Sequence, residues 1–181
     1  MNLEAQNDAE IHSIRDQLQF LVNSAGSSRL HIGQVLDAIR NDRIRDNNFL
    51  HAFHNDHLPG FPTFDRRADS MELIEALPTD YVRISQLAVF FEQALHDTMP
   101  YRQHLHSTYT HLTNLLCWLE QSTLSLGQRV YYDVSRDTML TKDRNPNNES
   151  DRDIRNFLMS RDADVLFEQM IRFYEHRLAA L

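Results

Sequence analysis

Apolar residues recur along most of this chain at intervals of three and four, the spacing that lines one face of an α-helix. Ile11, Ile14, Leu18, Leu21 and Val22 form the first such stripe and predict an amphipathic helix from about Leu3 to Val22. Ala25-Gly26-Ser27-Ser28 reads as its end, with Ser28 capping a second, shorter helix that carries Leu30, Ile32, Val35, Leu36 and Ile39. Residues 46 to 57 read as a third short helix with Phe49, Leu50 and Phe53. Leu58-Pro59-Gly60-Phe61-Pro62 stops it, because proline lacks the amide N–H and restricts the residue before it. Met71, Leu73, Ile74 and Leu77 begin the next helix at Asp69 or Ser70. Pro78-Thr79-Asp80 breaks that helix and caps a successor, Tyr81 to His96, whose broad apolar face marks it as the expected central helix.

Pro100 suits the first turn of a helix reaching about Leu124, antiparallel to its predecessor, with Leu105, Tyr109, Leu112, Leu115, Leu116 and Leu119 in one stripe. Val130, Tyr131, Tyr132 and Val134 have strand propensity, so residues 128–142 read as irregular with a small β-hairpin as an option. Residues 143–151 are polar and turn-forming, and predict an exposed loop. A short helix from Asp151 to Met159 follows, and Asp162 caps the last one, whose buried face comprises Val165, Leu166, Met170, Ile171, Phe173, Tyr174 and Leu178. No internal repeat is visible. The pattern predicts an all-α fold, an irregular bundle of six to eight helices in one domain over residues 1–181, with loops at 57–67 and 143–151.

Composition supports helices: four glycines and five prolines are too few for the many turns of a β-sandwich or barrel. The length suffices for a sizeable core without disulfides. The formal net charge of −8 repels polyanions, which makes nucleic acid an unlikely partner despite Arg40, Arg43 and Arg45 lying close together. Lys142 is the one lysine, so nearly all positive charge is arginine, whose planar fork suits paired carboxylates and interfaces. The single cysteine, Cys117, excludes an intramolecular disulfide and, within Leu115-Leu116-Cys117-Trp118-Leu119, reads as a small buried hydrophobe. No apolar run approaches the roughly 20 residues that span a bilayer, and the amino terminus lacks the basic and apolar regions of a secretory signal. The expectation is a cytoplasmic protein without a membrane partner.

Ten histidines raise the question of a metal. His51, His54 and His57 lie at intervals of one helical turn, near Asp56, and such imidazoles could share zinc or another divalent metal. A second group comprises Glu92, His96, Asp97, His104, His106 and His111, in which His104 and His111 are aligned on one helix face. Neither group has a specific spacing such as His-Glu-x-x-His. Arg45-Asp46-Asn47-Asn48-Phe49-Leu50-His51 resembles, over that heptapeptide alone, the motif of small helical ribonucleases of the HEPN type. The resemblance implies a nuclease site with Arg45 and His51 contributed twice across a dimer. Gly-x-Ser-x-Gly, P-loop and dinucleotide fingerprints are absent.

Most aromatics fall on helical stripes and read as core. Phe61, Phe64, Tyr131 and Tyr132 lie in loop-like sequence, where each could anchor a partner or a second subunit, or pin its loop to the core. The preferred expectation is a non-enzymatic interaction protein, without cofactor, that engages an unidentified protein partner or forms a homodimer. The first alternative is a metal-dependent or HEPN-like hydrolase using the His51, His54 and His57 cluster, and the second a nucleic-acid-binding regulator using Arg40, Arg43 and Arg45.

Overall fold

The computed structural model describes residues 3–44, 51–63, 71–97, 99–130 and 134–181, with side chains from residue 12 onward. Among these residues there are five α-helices and no strands: α1 (Leu3–Ala38), α2 (Leu73–Ala94), α3 (Arg102–Ser125), the single turn α4 (Thr141–Arg144) and α5 (Glu149–Ala180). A π turn, Ile39–Arg43, closes α1, and a 3₁₀ turn, Arg136–Thr138, precedes α4. The all-helical class agrees with the sequence. The six to eight helices are not found among the described residues, because three expected breaks are helical throughout; of the helix expected over 46–57, residues 46–50 lie outside the described residues, and the helical geometry at 51–52 gives way to turns.

One repeating pattern explains the continuity. Buried residues alternate at spacings of three and four along all four long helices: Leu18, Leu21, Ala25, Ser28, Ile32 and Val35 on α1, continued by Ile39 in the π turn, and Leu77, Asp80, Ile84, Leu87, Phe91 and Ala94 on α2. Leu105, Thr108, Leu112, Leu115, Leu119 and Ser122 do the same on α3, and Asn156, Met159, Ala163, Leu166, Met170 and Phe173 on α5. This 3.5-residue period lets helices pack along a shared seam. The seam passes through each expected break, where a polar residue occupies a core position. Ser28 is fully buried and its hydroxyl donates to the Ser24 carbonyl, 3.0 Å away, so it serves the helix interior instead of capping a new start. Asp80 and Ser160 are likewise buried inside α2 and α5, and Pro78 is carried within α2. Asn148 caps α5, accepting from the Asp151 amide at 2.9 Å, whereas Asp162 lies mid-helix.

Cross-helix contacts fix the directions. Arg29 meets Asp164 and Arg43 meets Asp153, so α1 and α5 are antiparallel. Phe20 stacks on Trp118 and His31 on His111, so α1 and α3 are antiparallel too. Tyr174 reaches Asp80 and Arg155 reaches Asp97, which sets α2 against α5. The connectivity is therefore up-up-down-down, with long connections between α1 and α2 and between α3 and α5. It also makes α2 and α3 antiparallel, as expected for Pro100 and its neighbours. The largest interfaces are those of α1 with α5 and α3, so α1, and not the helix over Tyr81–His96, is central.

The hairpin expected at 128–142 is absent among the described residues. Met139 is buried in the bundle core, and the backbone around it turns as 3₁₀ and α, with Ser135 Oγ accepting from the Asp137 amide. An isolated two-stranded hairpin has too little apolar burial to compete with that docking. Of the loop expected at 143–151, Asp143 and Arg144 belong to α4 and Glu149 already begins α5. Among the described residues no helix is long and apolar enough to cross a membrane.

Candidate functional site

Residues 51–63 of the connection from α1 to α2 meet α5, where Arg161 holds them. Arg161 donates to the carbonyls of Phe53 at 2.7 Å, His54 at 3.3 Å and Asp56, and its Nε donates to Asp162 Oδ1 at 2.8 Å. Charge-assisted bonds to several carbonyls are among the stronger polar contacts a surface connection can have. They place His57 beside α5, where Nδ1 lies 2.8 Å from Asp162 Oδ2. Arg161 also comes within 3.5 Å of that nitrogen. The carboxylate contact is much the shorter, and a carboxylate only accepts, so Nδ1 carries the hydrogen of that bond.

Beside this pair opens a cavity of about 320 Å³ lined by His54, His57, Pro62, Thr63, Arg161, Asp162, Val165, Leu166 and Gln169. Its lining is largely apolar, with Leu166 at its base and Val165, 48% exposed, on its rim. Val165 was expected in the core; it lies between the core positions Ala163 and Leu166 of α5 but turns outward. Gln169 also lines the cavity, although its Oε1 is buried out of reach of solvent and without a hydrogen-bond partner.

The structure brings His54 and His57 to this cavity and leaves His51 outside its lining, exposed at a helical residue. Helical geometry ends after Ala52, so the three-residue spacing no longer stacks the three imidazoles on one face. Among the described residues no three His, Cys, Asp or Glu side chains are grouped so as to hold a metal ion. Arg45 lies outside the described residues, as do Phe64, Tyr131 and Tyr132. Phe61 is buried, its ring edge-on to Phe90 at 5.1 Å, so it pins the connection to the bundle. Cys117 is exposed, contrary to expectation. Leu112, Leu115 and Leu119 define the inner face of α3, and a residue two positions beyond Leu115 must turn away from it.

The second histidine group is dispersed into three contacts. Glu92 pairs with Arg136 at 2.7 Å and Asp97 with Arg155 at 2.6 Å. His104 and His111 stack either side of His31 from α1, with ring centroids 6.4 and 5.3 Å from it. Burial, and then the nearby His31, push the His111 pKa down. Of the basic cluster before residue 46, Arg43 is held by Asp153 and Glu149, and Arg40 lies over the Phe157 ring.

Polar groups elsewhere serve the scaffold. At the end of the bundle where α5 begins, the Tyr101 hydroxyl donates to Asp153 Oδ1 at 2.7 Å and accepts from Asn156. Asn156 Oδ1 accepts from the buried Arg155, which also reaches the Asp143 carbonyl. At the other end Asp80 accepts from Tyr174 at 2.8 Å and Arg83 at 3.1 Å, yet burial still pushes its pKa up. Asp162, Arg161 and Gln169 carried no sequence signal for a site: Asp162 is 105 residues from His57 and resembled a helix cap.

What these features define is a class: an all-α, four-helix bundle with two long connections and a cavity under the first. No family model matches the chain, and neither a curated protein nor a solved structure matches it.

Proposed function

We propose that this chain is a non-enzymatic interaction module, an adaptor, chaperone-like or regulatory protein of the cytoplasm, which receives part of a protein partner in the cavity between α5 and the first connection. The observation that carries this reading is the use of Arg161. Its donors are directed at carbonyls and at Asp162 within the chain, so the cavity presents apolar walls and an oriented rim rather than a charged reaction centre. Apolar recesses with a few fixed polar groups are suited to anchoring a partner side chain. Phe64, Tyr131 and Tyr132 are further candidate anchors. A homodimer belongs to the same reading, since Phe20 and Trp118 form a solvent-facing stack, with ring centroids 4.3 Å apart, that self-association would cover.

Val165→Arg tests the reading by filling the rim of the cavity. Proteins captured by the wild-type chain from its own cell extract are expected to fall at least about ten-fold in the variant, the effect of losing a buried anchor, with the circular-dichroism melting curve unchanged. Equal capture would remove the cavity as the docking site. A second reading, a hydrolase with His57 as general base oriented by Asp162, rests on their 2.8 Å contact. Turnover of phosphodiester or ester substrates that disappears in His57→Ala would favour it over the interaction module.

A further inference from the structure

We infer that the outer face of α1 and α3, centred on Phe20 and Trp118, is where a second copy of this chain docks. The inference rests on the interaction reading above and names one partner and the face it meets. Three contacts lay the two helices side by side along that face: Ser125 with Gln17 at 3.0 Å, the Phe20–Trp118 stack, and the His31–His111 stack. Residues 17–28 of α1 and 103–119 of α3 contain no Asp, Glu, Lys or Arg, although such residues make up 24% of the chain. Charged residues normally fill the water-facing side of an amphipathic helix, and their depletion around an aromatic centre is the compositional sign of an interface core. Phe20 remains 46% exposed even in its stack with Trp118.

Covering this face strands few polar groups. Ser27 donates to the Asn23 carbonyl at 3.0 Å, Thr110 to the His106 carbonyl at 3.0 Å, and the Ser125 hydroxyl to Gln17 Oε1 at 3.0 Å. These donors already have partners within the chain, so losing water costs them little. A second copy suits the face better than a different protein. A foreign partner selected by charge needs charges to read, and residues 17–28 and 103–119 supply none. Two chains of net charge −8 repel through most of their surfaces, which confines a contact between copies to an uncharged face such as this one. Its shape is also self-complementary: Phe20 and Trp118 make a ridge, and one to two turns along α1 the side chains shrink to Ser24 and Ser27. A two-fold axis lying in the face, across α1 at the level of Ser24, sets the ridge of each copy over Ser27 of the other. From Gln17 to Gln34 the two-helix face measures about 25 Å by about 20 Å, on the scale of the roughly 800 Å² per partner that a stable interface buries.

Trp118 is the one tryptophan of the chain, so its emission reports on this face. Sedimentation velocity and fluorescence of the full chain, followed together from about 0.1 to about 100 µM, test the inference across the range of ordinary interface affinities. A dimer is expected to form as concentration rises, with Trp118 emission moving to shorter wavelength at the same midpoint. Asn114→Glu brings a charge to the exposed α3 side of the face and leaves the ring stack in place. It should weaken the dimer at least about ten-fold while the circular-dichroism spectrum stays unchanged. A monomer throughout the range overturns the inference. So does a dimer in which Trp118 emission stays constant, or one that Asn114→Glu leaves intact, because the contact then lies on another face. If the chain is monomeric and Asn114→Glu instead removes a different protein captured from extract, the face belongs to that protein and the inference falls. If no dimer forms while Val165→Arg still strips partners, the docking reading stands and this inference falls. If the dimer forms through this face while Val165→Arg leaves capture unchanged, this inference stands and the cavity falls as a docking site.

Discussion

Tyr101 sits where α1, α3 and α5 converge, and its hydroxyl is bonded on both sides, donating to Asp153 and accepting from Asn156. Burial and the facing carboxylate hold its pKa above the ordinary tyrosine value. Tyr101→Phe should lower unfolding free energy by about 1–3 kcal/mol, because Asp153 and Asn156 each lose a partner in a buried setting. Urea denaturation measures this directly. The imidazole stack of His31, His104 and His111 makes a prediction about pH. The folded state lowers the His111 pKa, so above the ordinary histidine value neither state holds the proton and folding is unaffected. As pH falls through that value the unfolded chain takes up a proton the folded chain resists, and stability is lost. His111→Gln should therefore reduce the fall in unfolding free energy between pH 8 and pH 5, read from denaturation curves of both proteins. An unchanged slope would show that the stack does not couple to folding. His104 and His111 could be aligned from their spacing on one helix; His31, from a different helix, could not.

At the scale of the element, helices run longer than local sequence suggests wherever turn-forming residues occur inside a buried stripe. Gly26, Ser27 and Ser28 are ordinary terminators, yet α1 continues through them because Ala25, Ile32 and Val35 keep the same face buried. Tertiary burial of that face outweighs a local propensity difference of order 1 kcal/mol. The two glycines at opposite extremes make this quantitative. A Cβ at Gly26 would meet no atom within 4 Å, so Gly26→Ala should stabilise the protein by about 0.5–1 kcal/mol. Gly60 has φ of 78° and its Cβ would lie 2.2 Å from the Thr138 carbonyl oxygen. Gly60→Ala should thus cost several kcal/mol, on the order of 2–4, through backbone strain and separation of the two long connections. Thermal melts of the two variants should move in opposite directions.

At the scale of the whole molecule, the described residues form four long helices, and arginines of α5 fasten parts of the two long connections between them. Arg161 holds the first connection and Arg155 holds the second through the Asp143 carbonyl, while Gly60 and Thr138 bring the connections together. The cavity depends on this arrangement, since its outer wall is the first connection. Arg161→Met keeps the stem and removes the donors. Hydrogen exchange should then accelerate by about ten-fold or more at amides of residues 51–63, the consequence of losing charge-assisted bonds, while amides in the middle of α1 and α3 keep their protection. Uniform acceleration would mean that Arg161 stabilises the bundle as a whole.

The sequence by itself determined the helical class, the absence of a membrane-crossing apolar run, and most of the core, because three- and four-residue spacing of Leu, Ile, Val and Phe is a local property of the chain. It also marked His54 and His57 as residues to watch. Only the tertiary structure decided that Ser28, Asp80 and Ser160 are core positions, that Cys117 faces outward, and that His57 belongs with Asp162 rather than with His51. The reason is physical. Whether a polar residue ends a helix or sits within it depends on the hydrogen bonds and burial supplied by other helices, and the partner that orients His57 lies 105 residues away, brought beside it only when the first connection folds along α5.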